Sequence, residues 1–514
     1  MAKHYDVVVL GAGIGALATA ALLARRSWRV LVLGQGYRPA TYSFDGLTLA
    51  RRPFTFLAHS SPAWGRILVE LAQSQTFKRR TVPLDPMFQV LAPRLRLELP
   101  PDLVLFGKEI DREYPEVRRV IDELYAELAR TNAAADAAFE RDVVWPPGTF
   151  WERRETARAA FSLPHFQEED AREFLAEFPR DHEYRAIVET PAQFASHIVR
   201  LPAFAVARLH GAWTRGLVRL PRGEEDLVDF LAERVRAHGG DTKLGERAAR
   251  ITQKRGRAAG VVVDGEENAT GVQFVVTDLE ARALLELAPD YDASRRALGA
   301  LPDLIPTEHR FVLSMVVRDE GLPAPLADEL FLLASWPHRG VDPRRPLIHL
   351  QRTRPLGGAP GTSLLVAEAI LPEGVTSVVG TREIVLACVE RFLPFIERHY
   401  VVVDSPHDAR PLWDYRGGEK REVERALLRS GGASVEAEPM VPRWRVEPRS
   451  FHGLAAEPLR AQLGNTFLVG RSALPALGQE GELLAAWGAA RMITRTDSRK
   501  EKMRRDMWSK IELG

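Results

Sequence analysis

The chain has 514 residues, 45% of them hydrophobic and 27% charged, with a formal net charge of +1. That length exceeds one compact core and suits two interleaved domains of a globular protein, and the balanced charge gives nothing to steer it toward nucleic acid. A single cysteine, Cys388, excludes an intrachain disulfide and a cysteine-rich metal site, and no uncharged apolar run of about 18 residues is present to span a membrane.

Tyr5 to Leu10 reads YDVVVL, a buried parallel strand. It enters GAGIGALA at once, so it does not read as a signal peptide, and a cytoplasmic protein is expected. A helical run, ALATAALLARR, and a second strand, Arg29 to Leu33, follow. Strand, glycine turn, helix and strand within about thirty residues make a Rossmann βαβ dinucleotide-binding unit. Gly11 permits the tight turn, and Gly13 lets the backbone approach a pyrophosphate. Ile14 and Gly15 open the helix, whose free N–H groups and positive dipole end face the phosphates. Ala16 stands in for the third glycine, where only helix–strand packing is required. An acidic residue would ordinarily close the second strand and bind the ribose hydroxyls. Gly34 and Gln35 stand there instead, and Gln35 offers hydrogen bonds without charge.

Residues 36–60 are irregular, with a strand-like piece at Phe44 to Leu49. From Pro115 to Leu128 an amphipathic helix is predicted, with Val117, Ile121, Leu124 and Leu128 on one face. The stretch 111–215 is largely helical, broken at Trp145 to Gly148. Leu220 to Gly240 reads as a turn and a helix stopped by Gly239 and Gly240. A hairpin then turns at Lys254 to Arg257, and the strand VQFVVTD ends at Asp278. Strands and Pro/Gly-rich loops alternate over 310–370, and a helix is expected from about Thr381 to Glu397, with Cys388 in its packed face. Phe467 to Gly470 is another buried strand, leading through a glycine turn into a helix from Glu482 to Ile493. Glu480 and Glu482 at its start suit the helix dipole. In the tail, Ser498 to Gly514, Met503, Met507, Trp508 and Ile511 share one face and basic residues the other. Such a helix fits peripheral contact with an anionic membrane, a protein partner, or its own domain.

Three blocks carry a family likeness: Asp6 to Leu33, Leu220 to Gly265, and Asn465 to Ile493. In order and spacing they resemble the phytoene desaturase and carotenoid isomerase branch of the FAD-dependent amine-oxidase-like superfamily. The resemblance implies an α/β fold, a Rossmann-type FAD domain with an inserted α+β substrate domain. The FAD domain would comprise 1–60, 216–280 and 445–495, the cap 61–215 and 281–444, and the tail 496–514. It also implies that Gly11, Gly13, Ile14, Gly15 and Ala16 face the pyrophosphate, with Gly34 and Gln35 at the ribose. The strand holding Ala249 would approach the adenine, Gly470 and Arg471 would lie by the diphosphate and ribityl chain, and Gly478 and Gly481 would turn N–H groups to the flavin edge. The sequence departs from that family at Gly34, at Glu224 after Gly223, at Arg471, and in GYRPATYSFDG, which lacks the glycine pair followed by arginine.

No HExxH, GxSxG or CxxC motif occurs, which argues against zincins, serine hydrolases and thiol redox enzymes, and no catalytic constellation or metal set stands out. A desaturase of this kind leaves the hard chemistry to its flavin. Polar candidates near a flavin are Arg471, Gln479, Glu480 and His452, although His452 reads more readily as a loop residue. Phe54, Phe56, Phe150 and Trp151 would either line an apolar tunnel or fill the core. Two readings stay open. One is a FAD-dependent oxidoreductase acting on an apolar, isoprenoid or lipid substrate. The other is a non-catalytic descendant, as a homo-oligomer or with a protein partner, that keeps the fold for binding. A nicotinamide dehydrogenase on a plain Rossmann fold leaves the C-terminal block without a role.

Overall fold

β1 (His4–Leu10) lies between two parallel neighbours, β2 (Val30–Leu33) and the strand Thr270–Thr277. Valine and leucine side chains buried on both faces explain its unbroken apolar run. In the computed structural model the described residues are 4–163, 175–176, 178–179, 181–292, 298–336, 342–354, 359–373, 378–448 and 450–496. The tail from Ser498 lies outside them. Asp241–Lys243 extends the sheet beyond β2, and the hairpin Ala248–Lys254 and Arg257–Val263 closes its other edge. One edge of Thr270–Thr277 is shared end to end: Arg257–Val263 pairs with its start and Thr466–Leu468 with its finish. The late strand is thereby delivered beside the glycine turn.

α1 (Ile14–Arg25) is rich in alanine and buried from Gly15 to Ala24. Small side chains let it pack closely under the last helix, Gly478–Thr494, and beside the helix Glu224–Ala237. The last helix therefore begins one turn earlier than its periodicity suggests. Tertiary packing overrides the low helix propensity of its glycines.

The second sheet has ten strands organised around one long strand, Asp303–Arg318. Its first half pairs antiparallel with Val441–Glu447, its second half with Tyr400–Asp404, and most of its length with Thr362–Pro372. Leu347–Thr353, Glu329–Leu333 and the hairpin Phe88–Ala92 and Leu95–Leu99 continue outward. Side chains alternate along the long strand. Phe311, Leu313, Met315 and Val317 pack under the helix Val378–Phe392, where Cys388 is 4% exposed. Val312 and Val316 face the hairpin β3 (Thr41–Phe44) and β4 (Leu47–Ala50). The piece expected as one strand is thus a hairpin, turning at Asp45 (φ 46°) and Gly46 (φ 82°). The helix expected to reach Glu397 stops at Phe392, because Pro394 cannot donate and Phe395 takes φ 70°. The amphipathic helix expected from Pro115 starts with a 3-10 turn at Pro115–Val117, continues over Arg118–Phe139, and buries Ile121, Leu124 and Leu128. No helix among the described residues is long and apolar enough to cross a membrane.

Candidate functional site

The glycine turn after β1 has the geometry of a dinucleotide site. Gly11 takes φ +118°, which only glycine adopts freely, and Gly15 presses on the next strand so closely that a Cβ would lie 1.9 Å from the Val469 carbonyl oxygen. Gly470 packs against the backbone of Asp278 in the same way. The turn thus brings together Gly11, Gly13, Ile14, Gly15, Ala16, Gly470 and Arg471, from both ends of the chain.

What faces the turn, however, is acidic. Asp278, directly after the strand Thr270–Thr277, accepts a 2.8 Å hydrogen bond from the Gly13 N–H. A Cβ on Gly11 would sit 1.9 Å from its Oδ1. Glu482, from the last helix, approaches the Gly15 N–H at 3.5 Å. Burial raises both carboxyls, Asp278 to about 6 and Glu482 to about 8, the latter helped by the neighbouring Asp278 charge. The N–H groups of Gly13 and Gly15 that would cradle a pyrophosphate face the protein's own side-chain carboxyls.

The ribose and adenine end is filled likewise. Gln35 accepts from the Ala248 N–H at 2.8 Å and donates to the Ala248 carbonyl at 3.2 Å. The edge of the strand that would meet a base is therefore capped, with Ala249 exposed beside it. At Gly34 a Cβ would lie 1.9 Å from the Leu244 carbonyl oxygen, so the chain closes tightly there. The residues present therefore do not fit a bound FAD. Two side-chain carboxyls occupy the donors its diphosphate needs, and an amide holds its adenine edge.

At the last helix, Gly478 (φ +53°) packs on the Ala195 carbonyl and Gly481 on that of Leu474. Gln479 bonds the backbone of Thr55 and Ala58. Glu480 is bound bidentately by Arg208, at 2.7 and 2.6 Å, and by the Ser61 hydroxyl at 2.6 Å, and Arg208 holds its carboxyl below the usual range. It is a structural ion pair.

Between the two sheets lies a cavity of about 350 Å³ that reaches from Gly13 and Ile14 to the long strand. Its walls are charged but paired: Arg51 with Glu438, Arg52 with Glu224 at 2.7 Å, and Arg310 with Glu368 at 2.6 Å. His349 is held by Glu329 at 2.6 Å and stacked on Phe331, while Glu329 also accepts from Thr55 and Gln351. Arg471 lies over the Trp444 ring, 4.8 Å from its centroid. Of the aromatics singled out in the sequence, Phe54 lines this cavity and Phe56 is core at 1% exposure. Phe150 and Trp151 lie on the surface, 72% and 67% exposed. His452 lines a separate groove near Pro146 and Phe451. Sequence reasoning missed Asp278 and the arginine, histidine and glutamate lining, because those partners are distant along the chain.

The family model described as an NAD(P)-binding Rossmann-like domain matches residues 9–71. No curated protein matches the sequence. Among solved structures, an oxidoreductase from Methanosarcina mazei is 16% identical, with 95% of this chain and 99% of that one covered and a TM-score of 0.57. A putrescine oxidase with three substitutions from a redesign of cofactor binding is 16% identical, with 96% and 100% covered and a TM-score of 0.57. The cyclohexylamine oxidase from Brevibacterium oxydans is 14% identical, with 98% and 100% covered and a TM-score of 0.55. The chain is a mixed α/β protein with a Rossmann-like domain and a larger inserted domain, the fold of these amine oxidases.

Proposed function

We propose that this chain is a non-catalytic descendant of the amine-oxidase fold that holds no flavin and acts as a binding protein. The 2.8 Å hydrogen bond from the Gly13 N–H to Asp278, on the donors a pyrophosphate needs, carries the reading. The cap of Gln35 on Ala248 and the Glu482 carboxyl near Gly15 support it. An anionic diphosphate brought to this turn meets the Asp278 carboxylate on the Gly13 N–H and the Glu482 carboxyl near Gly15 instead of free donors, and it loses the advantage of the helix terminus.

The competing reading, a FAD-dependent oxidoreductase of desaturase type, draws on the fold shared with the oxidases. The cavity combines ion pairs with an apolar wall that includes Phe54, Phe194 and Trp213, which does not by itself select an apolar substrate. One measurement separates the two: a visible absorption spectrum of the purified protein before and after incubation with FAD and gel filtration. Colourless protein that retains no FAD is expected. A flavin spectrum that survives filtration refutes the proposal.

A further inference from the structure

Among the described residues, one cation of the cavity between the sheets is paired less tightly than the others. Arg51, Arg52 and Arg310 each face a glutamate across a hydrogen-bonded pair, so their charges cancel locally. Arg471 is held more loosely. Among the described residues its guanidinium makes no hydrogen bond, its ion pair with Glu280 is 3.6 Å long, and its side chain is 33% exposed while resting on Trp444. Glu482, also in the wall, is pushed up to about 8 by burial and the Asp278 charge. The planar N–H donors of a stacked guanidinium suit a carboxylate.

A second observation points the same way. The wall carries two ring nitrogens with no partner, Nδ1 of His197 and Nε2 of His407. Both imidazoles are neutral. Burial lowers each, His407 to about 4, and Arg310 and Arg471 further depress His197. His407 Nδ1 faces the Glu438 carbonyl at 3.1 Å and so carries the proton, which leaves Nε2 an acceptor. Buried polar atoms without partners are uncommon and costly, and a ligand group that donates would satisfy this one. Phe54, Phe194 and Trp213 supply apolar wall.

We propose that this cavity binds a small organic monocarboxylate bearing a hydroxyl or similar donor, with the carboxylate on Arg471 and the apolar body against Phe54, Phe194 and Trp213. A volume of about 350 Å³ lies at the small end of ligand pockets. One loosely paired guanidinium beside several acids favours a monoanion over a phosphate dianion. The proposal rests on the flavin-free reading above, since a flavin would compete for the same space.

Isothermal titration of the full chain with benzoate, phenylacetate and mandelate tests it, with mandelamide, benzylamine and inorganic phosphate as contrasts. Mandelate is expected to bind tightest, and mandelamide and benzylamine at least tenfold more weakly. Arg471→Gln should weaken mandelate at least tenfold and leave mandelamide unchanged, and Arg471→Lys should recover part of the loss. Because Arg471 makes only a long ion pair with Glu280 and a stacking contact with Trp444, both variants should melt near the parent. His407→Phe should erase the advantage of mandelate over phenylacetate. Binding by none of the carboxylates, equal binding of amide or amine, tighter binding of phosphate, or an unchanged Arg471→Gln variant overturns the proposal. Flavin absorbance in the same samples reports separately on the flavin-free reading.

Discussion

Replacing Glu482 with glutamine keeps the shape of the side chain and removes its ability to ionise. In the folded chain this carboxyl titrates at about 8, against 4.5 when unperturbed, because burial and the Asp278 charge disfavour its anion. Between pH 4.5 and 7 the unfolded chain gives up a proton that the folded chain keeps. Stability then falls as pH rises, the reverse of the usual salt-bridged carboxylate. At ~1.4 kcal/mol per pH unit, the cost of keeping Glu482 protonated at pH 7 is about 3 kcal/mol. Glu482→Gln avoids that cost, so it should be more stable than the parent by up to about 3 kcal/mol at pH 7 and nearly equal to it at pH 4.5. Asp278, raised to about 6, adds a similar but smaller slope below pH 6 that the variant retains. Melting temperatures and urea midpoints of both proteins, measured from pH 4.5 to 8.5, test this. A stability difference that does not change with pH, or a variant less stable than its parent at pH 8, would refute the account of Glu482 as a neutral buried acid.

Arg208→Met should lower stability by about 3–5 kcal/mol in urea unfolding, since Glu480 would be left buried without its partner and Asp136 would lose its 2.7 Å contact. Arg208→Met with Glu480→Gln should recover part of that loss. Gly15→Ala should prevent folding or sharply lower the melting temperature, because its Cβ meets the Val469 backbone at 1.9 Å. Gly36→Ala, at φ +83° with open space around it, should cost only about 1–2 kcal/mol. Cys388, with its thiol raised to about 11 by burial, should react with a thiol reagent only as the chain unfolds, and fast labelling of the native protein would contradict its placement.

The βαβ unit was legible because its signals are local: a buried strand, a glycine turn and an alanine-rich helix lie within the first 33 residues. The hairpin at Arg255 and Gly256 and the stop at Gly239 and Gly240 were legible for the same reason. Asp278 was not. It stands 265 residues from the Gly13 N–H it engages, and an acid after a strand looks like any solvated turn. Gln35 was noted as a weak ribose ligand, but its actual partner, Ala248, lies 213 residues away. The cavity was illegible because its ion pairs join distant segments, such as Arg52 to Glu224 and Arg51 to Glu438. The early start of the last helix depended on contacts of Gly478 and Gly481 with Ala195 and Leu474, which no periodicity encodes.

The long strand Asp303–Arg318 also bears on how the cavity meets a ligand. Arg310, midway along it, is clamped to Glu368 and to the Ser196 carbonyl, on a strand laced to neighbours along both edges. Amides from Phe311 to Val317 should therefore be among the slowest in the molecule to exchange with deuterium, opening only when the whole chain unfolds. A floor that does not breathe cannot reshape itself around a guest. Discrimination among guests would then come from rigid fit, with little ordering entropy lost on association and a sharp cutoff in guest length.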